Sequence, residues 1–434
     1  MIPYYFNPSE DELLDILSRE LSDDIDVRKN VQSIIDDVKN RGDEALYYYA
    51  KRFDKVELND LFVSKEEFDL CDSYVDEKLK KAIIRAKCNI ESFHKAQIPV
   101  GEEIEIENGI NLKRKIVPIN SVGLYIPGGT APLFSTVLML GIPAIVAGCK
   151  DIILATPPTK DGSVNPIVLY TAKLIGIDKI IKVGGAGAIA ALSYGTKSIK
   201  KTDKIFGPGN RYVSYAKMLI SSRTSIDMLA GPSEVMVVAD ENTNVRFAAS
   251  DFLSQAEHGL DSQSILLILA DKENSIVFKE NFINEVKKQL DSLDRKDYLL
   301  SSLDNSKIIS CDNFEKCINI INEYAPEHLV LNLDKAKEIC NFVINAGSIF
   351  IGPYACESAG DYASGTNHTL PTSGWAKSVS GVSTDSFIKK ITIQDIDMNG
   401  MKSLGETIIT MAEGESLIAH ANSVKVRMEG IKND

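Results

Sequence analysis

Thiols, tryptophan and histidine are all scarce in this chain, with seven cysteines, one tryptophan and five histidines in 434 residues. The cysteines stand at Cys71, Cys88, Cys149, Cys311, Cys317, Cys340 and Cys356, with no C-x-x-C spacing among them. An odd, scattered set argues against a disulfide framework or a thiolate metal site and suits reduced thiols in a cytoplasm. Long apolar runs are missing too. No segment supplies the ~20 apolar residues that a bilayer span needs. The longest approach, Leu133 to Gly148, contains Gly141 and Pro143 and reads as a buried helix leading into a turn. Positive charge is in deficit, 48 Lys and Arg against 61 Asp and Glu, for a net charge of −13. With no basic block beyond KSIKKTDK, nucleic acid would be repelled, and no membrane partner is expected either. The N-terminus has neither the basic nor the apolar region of a secretory signal. No G-x-S-x-G elbow is present, which argues against a serine hydrolase.

What is there is enough material for more than one core. The chain is 44% hydrophobic and 25% charged, and at ~100–200 residues per domain two or more domains are expected. Up to about residue 95 the segments DELLDILSREL, VRKNVQSIIDDVKNRGDEALYYYAKRF and DEKLKKAIIRAKCNIESFHKAQ carry apolar residues at three- and four-residue spacing, which predicts helices. His94 falls on what reads as a solvated helix. Beyond this region short β-branched runs alternate with helical stretches: KRKIVPINSVGLYIPGG, DIILATPP, KIIKVGG, DKIFGPG, SEVMVVAD and SILLILA. That rhythm predicts parallel βαβ units in a doubly wound α/β architecture. From Tyr354 to Ser386 the composition shifts to Gly, Ser, Thr and Asn, a loop of a length that is usually functional or disordered. The final SLGETIITMAEGESLIAHANSVKVRMEGIK returns to helical spacing and predicts an arm.

Three constellations could carry chemistry. Gly185-Ala-Gly187-Ala-Ile-Ala190 fits the dinucleotide pattern G-x-G-x-x-A between a predicted strand and helix. It lacks the acidic residue expected about 20 residues further on, so a plain glycine turn packing a helix on a sheet fits as well. The turns YIPGG (Tyr125 to Gly129), FGPGN (Phe206 to Asn210) and AGPSE (Ala230 to Glu234) border predicted strands. Ligands in open α/β sheets gather at the carboxyl ends of strands, so these turns together predict a shared crevice.

The second constellation centres on FLSQAEHGLDSQ. In a helix capped by Gly259, Gln255 and His258 at i and i+3 share one face and could give an oxygen and a nitrogen to one ion. A lone buried histidine is usually hydrogen-bonded core. Here, however, Asp361 and His368 share the loop GDYASGTNH, and Glu415 and His420 share the predicted terminal helix. Nitrogen and oxygen ligands without thiolates suit zinc, with manganese and cobalt left open. On one ideal helix Glu415 and His420 lie about 140° apart, so one could bind metal while the other meets substrate. The third constellation is Glu327-His328 in EYAPEHL, where Pro326 breaks a helix and both side chains emerge at a helix-to-strand junction. An exposed surface pair is the plain reading. The functional one is two bases for two steps, an imidazole and a carboxylate that takes a proton from water. A zinc hydrolase stays open, since H-E-x-x-H is not the sole zinc arrangement.

In order along the chain, RKIVPINSVGLYIPGGTAPLFSTVLML, VGGAGAIAALSYGT, DKIFGPGN, AGPSEV, DFLSQAEHGLDSQ, YAPEHL, ESAGDYASGTNHTLPTSGWAK and EGESLIAHANSV resemble the histidinol dehydrogenase family. The resemblance implies an α/β fold of two doubly wound, incomplete Rossmann-like domains with a helical N-terminal region and a C-terminal helical arm. It implies an N-terminal arm over 1–20, a main substrate and metal domain over 21–116 and 233–380, an inserted cofactor domain over 117–232 and a dimerisation arm over 381–434. It also implies one zinc ion per subunit held by Gln255, His258, Asp361 and His420, with NAD as oxidant. These four residues, with Ser233, His328, His368 and Glu415, would form the substrate site. His328 would take the alcohol proton and Glu327 would activate water. Tyr125 and Asn210 match cofactor contacts. Gly187 departs from the family, which usually has glutamine there, so the G-x-G-x-x-A match is partly a product of that replacement. A homodimer with an active site shared between subunits, in the cytoplasm, is implied, together with two-step oxidation of L-histidinol through L-histidinal to L-histidine. A relative acting on another small amino or sulfonated alcohol is the alternative.

Overall fold

The computed structural model describes residues 2–19, 25–128, 132–229 and 231–433. Met1 and Glu20 of the predicted N-terminal arm, Gly129 of YIPGG and Ala230 of AGPSE lie outside the described residues. The chain divides into two compact units, Met1–Gln97 with Asn120–Ser386 and Ile98–Ile119 with Phe387–Asp434.

In chain order, strand β1 (Tyr4–Phe6) is followed, after a helical stretch, by β2 (Glu103–Glu107) and β3 (Ile110–Pro118). Next come β4 (Ser121–Tyr125), β5 (Asp151–Thr156), β6 (Ile180–Lys182), β7 (Lys204–Phe206) and β8 (Ser225–Ile226). They form a five-stranded sheet in the order β6-β5-β4-β7-β8, parallel throughout. Strands β9 (Glu234–Ala239), β10 (Gln263–Leu269), β11 (Lys307–Cys311), β12 (His328–Asn332) and β13 (Ser348–Ile351) join β1 in a six-stranded parallel sheet, β1-β11-β10-β9-β12-β13. Both sheets belong to the first unit.

The two-residue period of a strand explains the layers of the six-stranded sheet. Val235, Val237, Leu266, Ile268 and Val330 pack on one face with Phe252 and Phe282. Met236, Val238, Ile265, Leu267, Leu329 and Leu331 pack on the other with Ile320 and Tyr324. Strands buried on both faces read as continuous apolar runs, as SILLILA and EVMVVA do. Over the five-stranded sheet, Val27, Val31, Ile35 and Val38 form one buried stripe of the helix Ile25–Arg41 and enter the same core as Ile153, Ile181 and Ile189. The doubly wound α/β class therefore stands.

Three local readings need correction. Residues 4–6 are not helical: β1 extends the sheet edge beside β11, and the Tyr4 hydroxyl meets Ser310 Oγ at 2.9 Å. Three aromatic residues in an extended segment suit that edge. The run KRKIVPINSVGLYIP is two strands in two sheets, parted at Ile119 and Asn120. The long apolar run is the expected buried helix, Phe134–Ala147, which continues through Pro143 and stops where Gly148 turns left-handed at φ 91°. His94 is fully buried: Nδ1 bonds the Ile90 carbonyl at 2.8 Å and Nε2 meets Asn367 Nδ2 at 3.3 Å.

The second unit is an antiparallel sheet, β2, β3 and β14 (Ile388–Ile396), followed by the helices Met398–Gly414 and Ile418–Asn433. β14 offers only the short alternation Ile391-Thr392-Ile393-Gln394, and its central residues are exposed, so no apolar face of any length marks it. Among the described residues no helix is long and apolar enough to cross a membrane.

Candidate metal and active site

Glu234 opens β9 and His328 opens β12, and the register pairs His328 with Val235. These neighbours lie at the amino edge of the six-stranded sheet. The helix Val245–Ala256 leaves the carboxyl end of β9 and returns the chain to that edge, which puts Gln255 beside them. It ends at Ala256 with Glu257 as a right-handed cap, earlier than a cap at Gly259 would imply. His258 is therefore the exposed second residue beyond the helix, with its N–H on the Gln255 carbonyl at 3.2 Å.

The acid and imidazole of EYAPEHL are buried, 6% and 3% exposed, which removes the surface-pair reading. The preceding helix stops at Ala325, held left-handed at φ 50°, and Pro326 follows. Glu327 Oε2 accepts from the Glu234 N–H at 2.9 Å and from Gln255 Nε2 at 3.2 Å. His328 Nδ1 lies 3.2 Å from the Glu234 carbonyl oxygen. One residue thus fixes both members of the pair through its backbone. Its own carboxylate accepts from Arg19 Nε at 2.6 Å, Arg19 Nη2 at 2.9 Å and the Ser373 N–H at 3.0 Å.

Three further groups complete the cluster. Glu357 and Asp361 stand four apart on the short helix Glu357–Tyr362, hence on one face, and both are buried. His258, Glu357 and Asp361 each bring a ligand atom within 4.8 Å of the others. Gln255 Oε1, Asp361 Oδ1 and His328 Nε2 are buried without a hydrogen-bond partner. His328 Nε2 comes to 3.3 Å from Asp361 Oδ1 without hydrogen-bond alignment. Unpaired buried acceptors are costly, about 1–3 kcal/mol each, and their convergence is what a cation site needs. Electrostatics agree. Burial opposes a charged His328 imidazole, yet Glu327, Glu357 and Asp361 outweigh it and hold its pKa well above the ordinary histidine value. Burial pushes Glu357 up to about 8 against the pull of His328. Burial would raise Asp361 as well, but His328, His368 and His258 bring it below the usual carboxylate value.

His368 is half-buried, its Nδ1 3.0 Å from the Asp361 carbonyl oxygen and its Nε2 3.2 Å from Thr136 Oγ1. Burial lowers its pKa. Ser233 is half-buried just before β9, and its carbonyl accepts the Gln263 N–H at 3.0 Å.

The glycine turns fall on two kinds of edge. Tyr125 ends β4, Gly184 and Gly185 follow β6, and Gly207 to Asn210 follow β7, all at the carboxyl edge of the five-stranded sheet. Gly231 to Ser233 of AGPSE instead lead into the amino end of β9, as a turn that precedes a predicted strand should, so the carboxyl-edge argument applies to the other two turns. Tyr125 is buried and its hydroxyl accepts the Gly185 N–H at 3.1 Å. Asn210 is exposed and caps the helix Arg211–Ile220, its Oδ1 accepting from Tyr212 and Val213.

In the second unit, Glu415 and His420 do not share a helix. The first helix ends at Gly414, Ser416 is left-handed at φ 61°, and a new helix starts at Ile418. The angular argument from one continuous helix therefore lapses. Both residues are exposed on this chain.

Comparison with known proteins identifies the family. The histidinol dehydrogenase family model matches residues 17–428. The chain is 49% identical to a histidinol dehydrogenase of Bacteroides thetaiotaomicron, covering 98% of each chain. It is 46% identical to one of Campylobacter jejuni, covering 99% of each. The crystal structure of histidinol dehydrogenase from Elizabethkingia anophelis superposes with a TM-score of 0.95 at 47% identity over 99% of both chains. The chain belongs to the histidinol dehydrogenase family.

Within this histidinol dehydrogenase fold, sequence reasoning passed over Arg19, Glu234 and Glu357. Glu357 carried a usable signal, since it stands four residues before Asp361 in CESAGD. Glu234 adjoined a turn already singled out. Arg19 lies 215 residues from its carboxylate partner, and no local pattern could pair them.

Proposed function

We propose that this chain is a zinc-dependent, NAD-linked dehydrogenase that converts L-histidinol through L-histidinal to L-histidine. The observation that carries the reading is the convergence of unpaired Gln255 Oε1 and Asp361 Oδ1 beside the buried Glu327-His328 pair. Gln255, His258, Asp361 and His420 would hold the zinc ion, His420 coming from a second copy, which fits its exposure on a single chain. Bound zinc would anchor the imidazole and amine of the substrate and supply positive charge among the carboxylates. Bound NAD⁺ would accept one hydride in each of the two oxidations.

The chain's own residues then divide the proton work. His328 takes the hydroxyl proton of histidinol as hydride leaves carbon, giving the aldehyde. Cationic charge next to its carboxylate neighbours lowers its proton affinity, which frees the imidazole for this task. Glu327, held by the Glu234 N–H and Gln255 Nε2, takes a proton from water as the oxygen adds to the aldehyde. The adduct, left as the monoanion of the hydrate, then loses the second hydride and its remaining hydroxyl proton, the proton going to solvent, to give the carboxylate. Ser233, His368 and Glu415 would contact the substrate. Tyr125 and Asn210 would meet the dinucleotide at the carboxyl edge of the five-stranded sheet, in an inserted cofactor domain over 117–232. We read the enzyme as a cytoplasmic homodimer whose arms complete each other's sites.

The test is purified protein with zinc, histidinol and NAD⁺, followed by NADH absorbance, with about two NADH expected per histidine formed. Turnover without NAD⁺ would indicate a hydrolase. Metal and ligand binding without NADH would indicate a binding protein. Activity on other amino alcohols but not histidinol would move the substrate assignment.

A further inference from the structure

The turn Phe206 to Asn210 is held from beneath by a charge pair that the reaction does not use. Gly207 has φ 132°, and a Cβ there would fall 2.2 Å from the Tyr125 carbonyl oxygen, so the turn lies directly on the end of β4. Both polar groups of Gly207 are taken by side chains. Its N–H donates to Asp227 Oδ2 at 2.8 Å, and its carbonyl accepts from Lys217 Nζ at 2.9 Å. Lys217 and Asp227 also form an ion pair with side chains only 2% and 1% exposed. Asp227 Oδ1 accepts the Met228 N–H at 2.7 Å, and the Asp227 N–H donates to the Ile205 carbonyl at 3.0 Å. Lys217 sits on the helix Arg211–Ile220 that Asn210 caps, so the chain leaves the turn and comes back to grip it.

Burying two charges is a poor route to stability, because an apolar pair of similar volume serves as well or better. What apolar side chains cannot do is bind both ends of one glycine. That glycine separates the two residues assigned to the cofactor, lying against Tyr125 and three residues before Asn210. We propose that Lys217 and Asp227 are positioning residues for the dinucleotide, fixing the Gly207 backbone so that Tyr125 and Asn210 face the cofactor together. The inference rests on the cofactor assignment made above and adds the device that preorganises it.

The experiment measures NAD⁺ binding by calorimetry and, separately, histidinol binding to the zinc-loaded dimer, for the wild type and a Lys217→Met/Asp227→Leu variant. Both charges go together, so no unpaired buried charge remains. The expected result is a folded variant with NAD⁺ affinity about tenfold or more weaker and histidinol affinity unchanged within about twofold. Unchanged NAD⁺ affinity, or equal losses for both ligands, would overturn the proposal. Should the double variant not fold, Lys217→Gln/Asp227→Leu leaves no lone charge, keeps a donor for the Gly207 carbonyl and removes only the acceptor of the Gly207 N–H. An NAD⁺ loss of about threefold or more supports the proposal there, and a change below about twofold overturns it. Failure of the wild type itself to bind NAD⁺ would instead refute the underlying cofactor assignment, a separate and distinguishable outcome.

Discussion

Replacing Arg19 by Met should cost about 3 kcal/mol of folding stability, and the cost should grow with pH. Arg19 is 17% exposed and Glu234 3% at the side chain, so the pair is buried without being sealed. The guanidinium makes two contacts to the carboxylate, a third bond to the Tyr324 carbonyl at 2.6 Å, and lies 4.0 Å above the Tyr324 ring. Removing one partner of a buried pair typically costs about 3–5 kcal/mol, and partial exposure of Arg19 argues for the lower end. Burial already raises the Glu234 pKa against the opposing effect of Arg19. Without Arg19 it rises further. A carboxyl group whose folded pKa lies above its unfolded value contributes stability that is present below the unfolded pKa and lost as pH rises through the folded one. The gap between wild type and variant should therefore widen as pH increases. Urea unfolding at about pH 5 and about pH 8 measures it, with the smaller loss expected at the lower pH. A loss under about 1 kcal/mol at both pH values, or a gap that narrows with pH, would refute the reasoning. The double variant Arg19→Met/Glu234→Leu should recover most of the stability, because no lone charge is left inside.

Three other outcomes are expected. Glu327→Gln should leave the first hydride transfer near the wild-type rate and slow the second about 100-fold or more; stopped-flow NADH traces read this, and equal slowing of both steps would contradict the division of labour. Gly187→Gln should tighten NAD⁺ binding severalfold, about one hydrogen bond's worth. A Cβ at Gly187 meets only Leu46 Cδ2 at 3.6 Å and Val183 Cγ1 at 3.8 Å, so the backbone tolerates it, and a titration with unchanged or weaker affinity would count against the idea. Burial alone pushes Asp251 up to about 7. Its contribution is therefore present below about pH 4 and lost by about pH 7, and Asp251→Asn should be more stable at about pH 8 by ~2–4 kcal/mol. Parallel stability curves for wild type and variant would rule this out.

Much of the architecture was legible because strands buried on both faces leave long apolar runs and amphipathic helices leave a stripe. EVMVVA and SILLILA announced the parallel sheet, and Val27, Val31, Ile35 and Val38 announced a packed helix. At β14 the alternating stretch Ile391 to Gln394 is short and exposed, and at β1 a strand of three residues depends on a neighbour far along the chain, so local sequence carried little signal. Side-chain environment was harder still. Spacing put His94 on a solvated face, but the loop holding Asn367 covers it. Glu327-His328 could be seen as a pair, whereas the Glu234 backbone that orients both is supplied by an adjacent strand. The break at Ser416 was hidden because serine seldom takes a positive φ, so the sequence read as one helix.

On the proposed reading, Gln255, His258 and Asp361 share one divalent cation with His420 of a second copy. Anomalous diffraction at the zinc edge, from crystals of the zinc-loaded protein, addresses it directly. One strong peak per chain is expected, about 2.0–2.2 Å from a side-chain oxygen or nitrogen of each of those three residues and of His420 of the partner subunit. A peak elsewhere, or a zinc ion bound without that histidine, would contradict it.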